Sequence, residues 1–283
     1  MKTIKVSMAI PIFLVIFWLS PARAQESYQL EYKFQKGKTY RFKSTTASDM
    51  TQEAMGREMK MTGGSDMIVR MVIENVLNDG SMVVVVSADT EVTRSKSPMT
   101  DTTMVLTYII GKRMRIIVDK TGNVQTREVI DSVRYESRGM VGRAPQREVM
   151  GFTTLPAKPV KMGEKWTISK SDTLDMMGGK TTTSSDIEYT LVGSETKLGH
   201  DCLKIEYTGK TTTTGKMSSM GMEMFIEGDG KVSGTVFFDH KLGFTVSVES
   251  TSDDERTMAT TGQQSMTMLM SSTAKSSSVL LED

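Results

Sequence analysis

The feature that most constrains this chain is its repeated two-residue alternation of apolar and polar side chains, broken at short intervals by glycine-containing dipeptides. Tyr28-Gln-Leu30-Glu-Tyr32-Lys-Phe34 alternates without a fault, and Tyr40-Arg-Phe42-Lys repeats the pattern. Side chains of a strand point to opposite faces in turn, so such a run describes a half-buried β-strand and not a helix face. Further runs are read as strands at Met67–Val76, Met82–Val86, Met104–Ile110, Met114–Val118, Ile187–Val192, Leu203–Tyr207, Lys231–Phe238 and Phe244–Val248. Between them stand turn signals: Lys36-Gly37, Gly63-Gly64, Asp79-Gly80, Thr121-Gly122, Gly178-Gly179, Asp229-Gly230 and Leu242-Gly243. The expected fold class is all-β, built of antiparallel hairpins and meanders.

The N-terminus follows a different rule. Lys2 and Lys5 precede an apolar run from Val6 to Leu19, Pro21 ends it, and Ala22-Arg23-Ala24 offers small residues at a cleavage site. A run of 14 residues is short of the roughly 20 needed to cross a bilayer as a helix. Residues 1–24 are therefore expected to be a cleaved signal peptide, with the mature chain exported to the periplasm or beyond. No cysteine follows the apolar run to accept a lipid. Export removes Lys2, Lys5 and Arg23, leaving 32 basic against 34 acidic side chains. That balance offers no basic excess for nucleic acid, and no other segment is apolar for long enough to span a membrane as a helix.

Three ordered blocks recur. Lys36-Gly-Lys-Thr-Tyr-Arg-Phe42 aligns with Met162-Gly-Glu-Lys-Trp-Thr-Ile168, Ser65-Asp-Met-Ile-Val-Arg-Met71 with Ser185-Asp-Ile-Glu-Tyr-Thr-Leu191, and Ile117-Val-Asp-Lys-Thr-Gly122 with Phe237-Phe-Asp-His-Lys-Leu-Gly243. Their separations of 126, 120 and 120–121 residues indicate a duplicated unit of ordinary domain size. The expected organisation is a β unit over 25–130, a linker over 131–159 and a second β unit over 160–283. Each unit would be a curved antiparallel sheet or half-barrel. Pro145, Pro156 and Pro159 stiffen the linker, and Arg127–Arg138 is a candidate short helix.

Tyr32-x-Phe34-x-Lys36-Gly37-x-x-Tyr40, Leu155-Pro156-x-Lys158-Pro159-Val160-Lys161-x-Gly163-x-x-Trp166 and Gly199-x-x-Cys202-x-x-Ile205 together carry a resemblance. The chain resembles a family of exported, β-rich bacterial proteins of unknown function, frequent in Bacteroidota-like bacteria. Those motifs are structural turns, so the resemblance implies a fold and brings no catalytic residues with it. A looser likeness links the expected architecture to the half-open barrels of periplasmic lipoprotein carriers.

The chemistry-bearing residues are few. The mature chain has two histidines, His200 and His240, each expected in a solvated turn, and it lacks both the His-Glu-x-x-His and Gly-x-Ser-x-Gly signatures. Gly37-Lys38-Thr39, Gly179-Lys180-Thr181 and Gly209-Lys210-Thr211 echo a phosphate loop, but the glycine required five positions earlier is Tyr32, Leu174 and Lys204. No cofactor is indicated. Cys202, the single cysteine, alternates onto the face of Lys204 and Glu206, and is read as a small residue tucked under a turn. The expectation is a protein that is not an enzyme.

Methionine is the exception, at 25 residues against 9 Phe and 7 Tyr. Met59 and Met61, Met220, Met222 and Met224, and Met266, Met268 and Met270 are spaced by two, which on a strand sends their thioethers to one face; Met217 precedes the second group by three. Met59, Met61, Met220, Met222 and Met224 are candidates for an apolar concave face that takes up an apolar molecule or a segment of an exported partner. The alternative is a Cu(I) site, since soft thioethers select that ion, with Met217, Met220, Met222, Met224, Met266, Met268 and Met270 as candidate ligands. A third reading is a surface-assembly protein whose Ser/Thr-rich stretches Thr181–Ser185 and Thr211–Gly215 form pairing edges.

Overall fold

The computed structural model describes residues 26–137, 140–143, 152–176, 179–219, 222–261 and 265–281, and the expected signal peptide lies outside them. The first half contributes β1 (Ser27–Tyr28), β2 (Thr39–Ala54), β3 (Arg57–Val76), β4 (Met82–Lys96), β5 (Asp101–Val105), β6 (Arg113–Val118) and β7 (Val124–Val129), with one 3-10 turn at Thr107–Ile109. A hairpin of β8 (Arg134–Ser137) and β9 (Met140–Arg143) follows. The second half gives β10 (Val160–Lys161), β11 (Lys165–Met176), β12 (Gly179–Lys197), β13 (His200–Ser219), β14 (Met222–Asp239), β15 (Phe244–Thr261) and β16 (Met266–Leu281). The fold is all-β. One antiparallel sheet runs β11-β12-β13-β14-β15-β16-β2-β3-β4-β6-β7, with β5 beside β4. The two halves meet edge to edge where β16 pairs with β2.

Seven of these strands have 16 to 20 residues, and 20 residues extend roughly 65 Å. Each strand has a base end near the chain termini of the sheet and a tip end reached by hairpins such as Met55-Gly56. At the base, one face is a core: Leu191, Ile205, Val236 and Val248 form one row across β12–β15, and Phe42, Val69, Met71 and Ile73 continue it on β2 and β3. Toward the tip the same face carries Ser, Thr, Gly and Met. It stays half-buried while the other face is exposed, as the regular alternation along β16 shows. The sheet curls around that inner face. In-strand glycines make the curl possible: a Cβ at Gly230 would overlap the Asp254 carboxylate and the Thr211 hydroxyl from the two neighbouring strands.

This corrects the reading of Asp229-Gly230 and Gly63-Gly64 as turns, since both sit inside paired strands. Gly63 and Gly64 instead pack against Ser48 and the Thr46 carbonyl. The candidate helix over Arg127–Arg138 is also replaced: Val124–Val129 pairs with β6, whose backbone would otherwise be an open edge, and Arg134–Ser137 belongs to the β8–β9 hairpin. The strand expected over Met104–Ile110 ends at Val105 and gives way to the 3-10 turn.

A crossing segment closes the base. Residues 29–37 alternate as the sequence implies, with Leu30, Tyr32 and Phe34 buried, but they lie across the sheet end and not within its ladder. The Tyr32 N–H donates to the Lys120 carbonyl at 2.8 Å and the next N–H, of Lys33, to the Gly243 carbonyl at 2.9 Å. Lys120 and Gly243 belong to the Asp119 and Asp239 turns, the matching blocks of the two halves. Gly122 (φ 85°) and Gly243 (φ 75°) hold these turns in the left-handed region. A Cβ at Gly122 would lie 2.7 Å from the Tyr32 ring.

Other contacts recur by halves too. Gly37 N–H donates to Ile73 and Ile73 N–H to Lys38; Gly163 N–H donates to Leu191 and Leu191 N–H to Glu164. Ladder shifts occur at Ile73/Asn75 and at Leu191/Gly193, and again at Ile117/Val118 and Phe237/Phe238. Conserving an irregularity at matched positions requires the same local backbone in both halves.

Candidate functional site

Directly above the crossing segment, on the inner face, is a cavity of about 520 Å3. Its floor is Phe152, Thr153 and Thr154 from the connecting segment, which docks through the Leu155 N–H to the Thr121 carbonyl at 2.8 Å. Tyr32 fixes that floor: its hydroxyl oxygen accepts the Thr153 N–H at 2.7 Å and shares a 2.9 Å hydrogen bond with Thr245. Burial pushes the Tyr32 phenol up to about 12 despite those bonds.

The two walls differ in chemistry. On the β11–β13 side Ile168, Ile187, Tyr189 and Tyr207 present apolar and aromatic surface, and Trp166 stacks on Tyr189 at 5.5 Å and 8°. Burial pushes Tyr189 up to about 12 and raises Tyr207, whose phenol is also bonded to Ser250. On the β15–β16–β2 side Ser250, Ser276, Ser278, Ser44 and Thr46 present hydroxyls. Gly234 stands between the walls in the same cross-strand row, and a Cβ there would come within 2.5 Å of the Tyr207 hydroxyl. Its missing side chain is what lets Tyr207 lie across the sheet. Ser250 and Ser276 bond each other at 2.6 Å, while the Ser278 hydroxyl is buried with no protein partner. Lys170 reaches the cavity and donates to Thr154.

Beyond the cavity the inner face leads to methionine. By register, each described methionine side chain of β2, β3 and β13–β16 falls on this face: Met50, Met59, Met61, Met67 and Met71, then Met217, Met224, Met258, Met266, Met268 and Met270. Met217 stands opposite Met224, Met258 opposite Met268, and Met50 opposite Met61. The result is a diagonal stripe from the β13 tip to the middle of β3. Of the candidates read from sequence, Met59, Met61, Met224, Met266, Met268 and Met270 are half-buried in the stripe and Met217 is buried at its end. Met222 is opposite Ser219 in the ladder, and Met220 lies outside the described residues. None of those described in the stripe lines the cavity. Met50 and Met258, which join the groups into one patch, were missed because each is single in sequence; only cross-strand register reveals them.

The other candidates separate from this face. Cys202 is 1% exposed beneath the Asp239 turn, and burial, with Asp239 nearby, pushes its thiol up to about 11. By strand alternation it falls on the side of Lys204 and Glu206, but Cys202 is buried there while Lys204 is half-buried and Glu206 exposed. A thiol held neutral in this way is a poor nucleophile. His200 is at the base of β13, its Nδ1 3.1 Å from the Asp239 carboxylate, and His240 packs edge-on against Tyr28. Neither is a freely solvated turn residue, and the chain places both at the end of the sheet opposite the methionine tip. The three Gly-Lys-Thr sequences occupy a base turn, the first residues of β12 and the interior of β13, none opening a helix. Thr181–Ser185 and Thr211–Gly215 are paired on both sides and form no edge.

Comparison with known proteins adds little chemistry. A family of unknown function, DUF6263, matches residues 147–245. No curated protein matches. Solved structures similar over most of the chain include OpdQ of Pseudomonas aeruginosa (6% identity, 86% of this chain and 99% of that one, TM-score 0.31) and an outer membrane channel from Pseudomonas putida F1 (8% identity, 88% and 97%, TM-score 0.25). Scores this low fix neither a fold nor a function. Among the described residues no helix is long and apolar enough to cross a membrane. The outward face of the long strands bears exposed Lys60, Lys210, Asp229, Asp253 and Lys275, where a membrane-spanning barrel presents an uncharged apolar band.

Proposed function

We propose that this is an exported binding protein, acting without catalysis, whose concave sheet face takes up an elongated amphiphilic molecule. The observation that carries the reading is the inner face itself: beyond its buried base it stays half-buried along the strands, and none of the described elements covers it there. It starts at a cavity with one apolar and one hydroxyl wall. Ligand sites are concave, mainly apolar and supplied with a few polar groups that orient the ligand. Tyr189, Ile187 and Ile168 supply apolar contact, and the unpartnered Ser278 hydroxyl with Ser276 and Lys170 supplies the orienting set. The methionine stripe extends the apolar track, its flexible thioethers accommodating chains of varied shape.

The test is uptake of N-phenylnaphthylamine, a dye that fluoresces in apolar sites. Thr46→Trp places an indole in the cavity and is expected to reduce dye uptake at least tenfold, whereas Thr45→Trp, on the opposite face of the same strand, leaves it unchanged. Equal uptake by both variants, or none by the parent protein, contradicts the reading. Native mass spectrometry of protein from its own host is expected to show a bound mass removed by Thr46→Trp.

A further inference from the structure

We infer that the tip of the inner face is a binding site for a soft monovalent metal ion, Cu(I) or its redox-silent analogue Ag(I), built from Met258 and Met268 with Met224 and Met266 beside them. The site is separate from the cavity and goes beyond the amphiphile reading. Its first support is the division of residue types along one face. At the base, where the face is packed, it is built mainly from Leu191, Ile205, Val236 and Phe42, with Met71 among them; at the tip, half-buried and covered by no described element, thioethers gather beside Ile226. Leucine would serve equally well as an apolar surface. What methionine adds is a soft sulfur donor.

The second support is placement. Met258 and Met268 are directly opposed on β15 and β16, and such pairs have Cβ atoms about 4.5–5.5 Å apart. Met266 is the next inner-face residue on β16. Met224 stands opposite Thr260, one inner-face step from Met258. Diagonal neighbours lie about 7–8 Å apart, within reach of two flexible side chains converging on one ion. Thr260 also accepts the Met266 N–H at 3.1 Å, which holds the end of β16 against β15. Three or four neutral thioethers then share one small region that is partly shielded from water.

The surroundings favour a soft ion of single charge. Among the described residues no three His, Cys, Asp or Glu side chains gather to offer a harder cation a set of ligands. Arg256 occupies the next row toward the base, opposite Met270, and Asp254 approaches it at 3.7 Å. This arrangement leaves Met270 the least suited of the stripe's tip residues to a cation and restricts the site to the rows of Met258 and Met224. Binding is coordination alone, with no change in oxidation state.

The experiment is anaerobic titration of the full mature chain with Cu(I) in competition with bicinchoninate, alongside Ag(I) uptake by native mass spectrometry. One equivalent is expected to bind, with sulfur as the only metal neighbour in X-ray absorption. Met258→Leu/Met268→Leu is expected to weaken Cu(I) binding at least a hundredfold while N-phenylnaphthylamine uptake persists. Met50→Leu/Met61→Leu leaves the metal bound. Failure of the parent chain to compete for Cu(I), or equal binding by the Met258/Met268 variant, overturns the site, as does equal loss in the Met50/Met61 variant. Loss of dye uptake with metal binding intact would count against the amphiphile reading alone.

Discussion

The base and the tip of the molecule are made of the same strands and the same hydrogen-bonded ladder, yet they solve different problems. At the base β12–β15 bring Leu191, Ile205, Val236 and Val246 under the crossing segment, and Tyr32 and Phe34 fill the space between the sheet and the connecting chain. Tyr32 meets Phe238 and Phe152 edge-on at 5.4 and 5.1 Å, and Phe34 meets Tyr40 at 4.5 Å. At the tip none of the described segments crosses the sheet. The lesson is that strand pairing carries the architecture outward from a core confined to one end, leaving an inner surface that side-chain packing does not consume.

Breaking the base should therefore have the largest effect. Tyr32→Ala removes a buried ring and three hydrogen-bond contacts, and is expected to cost about 3–5 kcal/mol. Denaturant melting measures it, and a loss under 1 kcal/mol would mean the crossing segment is not the keystone. Phe or Tyr at this site differ by the hydroxyl alone, so Tyr32→Phe should cost less, about 1–3 kcal/mol, from the Thr153 N–H and Thr245 hydroxyl left behind.

Alkaline titration sharpens the comparison. Tyr32 and Tyr189 ionise near pH 10 in the unfolded chain and at about 12 in the folded one, so the folded state holds their protons more tightly between those values. Their contribution is complete below pH 10 and is lost as pH rises from 10 to 12, up to about 3 kcal/mol for each. Circular dichroism should show the stability midpoint falling across that window, and Tyr32→Phe should flatten part of the fall. No change between pH 10 and 12 would contradict the burial of these phenols.

The tip should tolerate change. Met50→Leu and Met61→Leu keep apolar volume on a half-buried surface and are expected to shift stability by less than about 1 kcal/mol. A larger loss would show that the stripe is packed core.

The same contrast explains what could be read in advance. Strands were legible at the base because Tyr40-Arg-Phe42-Lys or Leu203–Tyr207 alternates strongly in polarity. The long ones were read as about a quarter to a half of their true length, and β16 not at all, because Thr211-Thr-Thr-Thr-Gly215 and Ser276-Ser-Ser278 carry the same small polar residues on both faces and leave no alternation to follow. For that reason Asp229-Gly230 resembled a turn, although the glycine is there to relieve crowding inside a curled sheet. The methionine faces were legible wherever spacing of two lay within one strand, as in Met266, Met268 and Met270. The cavity was not legible: Phe152, Tyr207 and Ser276 meet only through the register of distant strands and the docking of a connecting segment.

The central claim is that the inner face, and not the outer, is the binding surface. A benzophenone amino acid placed at Ile187, on the cavity wall, or at Glu188, its outward neighbour, tests this in protein purified from its own host. Illumination is predicted to attach a small amphiphilic molecule at position 187 and nothing at 188, read as a mass increase on the intact chain. No adduct at 187, or equal adducts at both positions, would contradict the account.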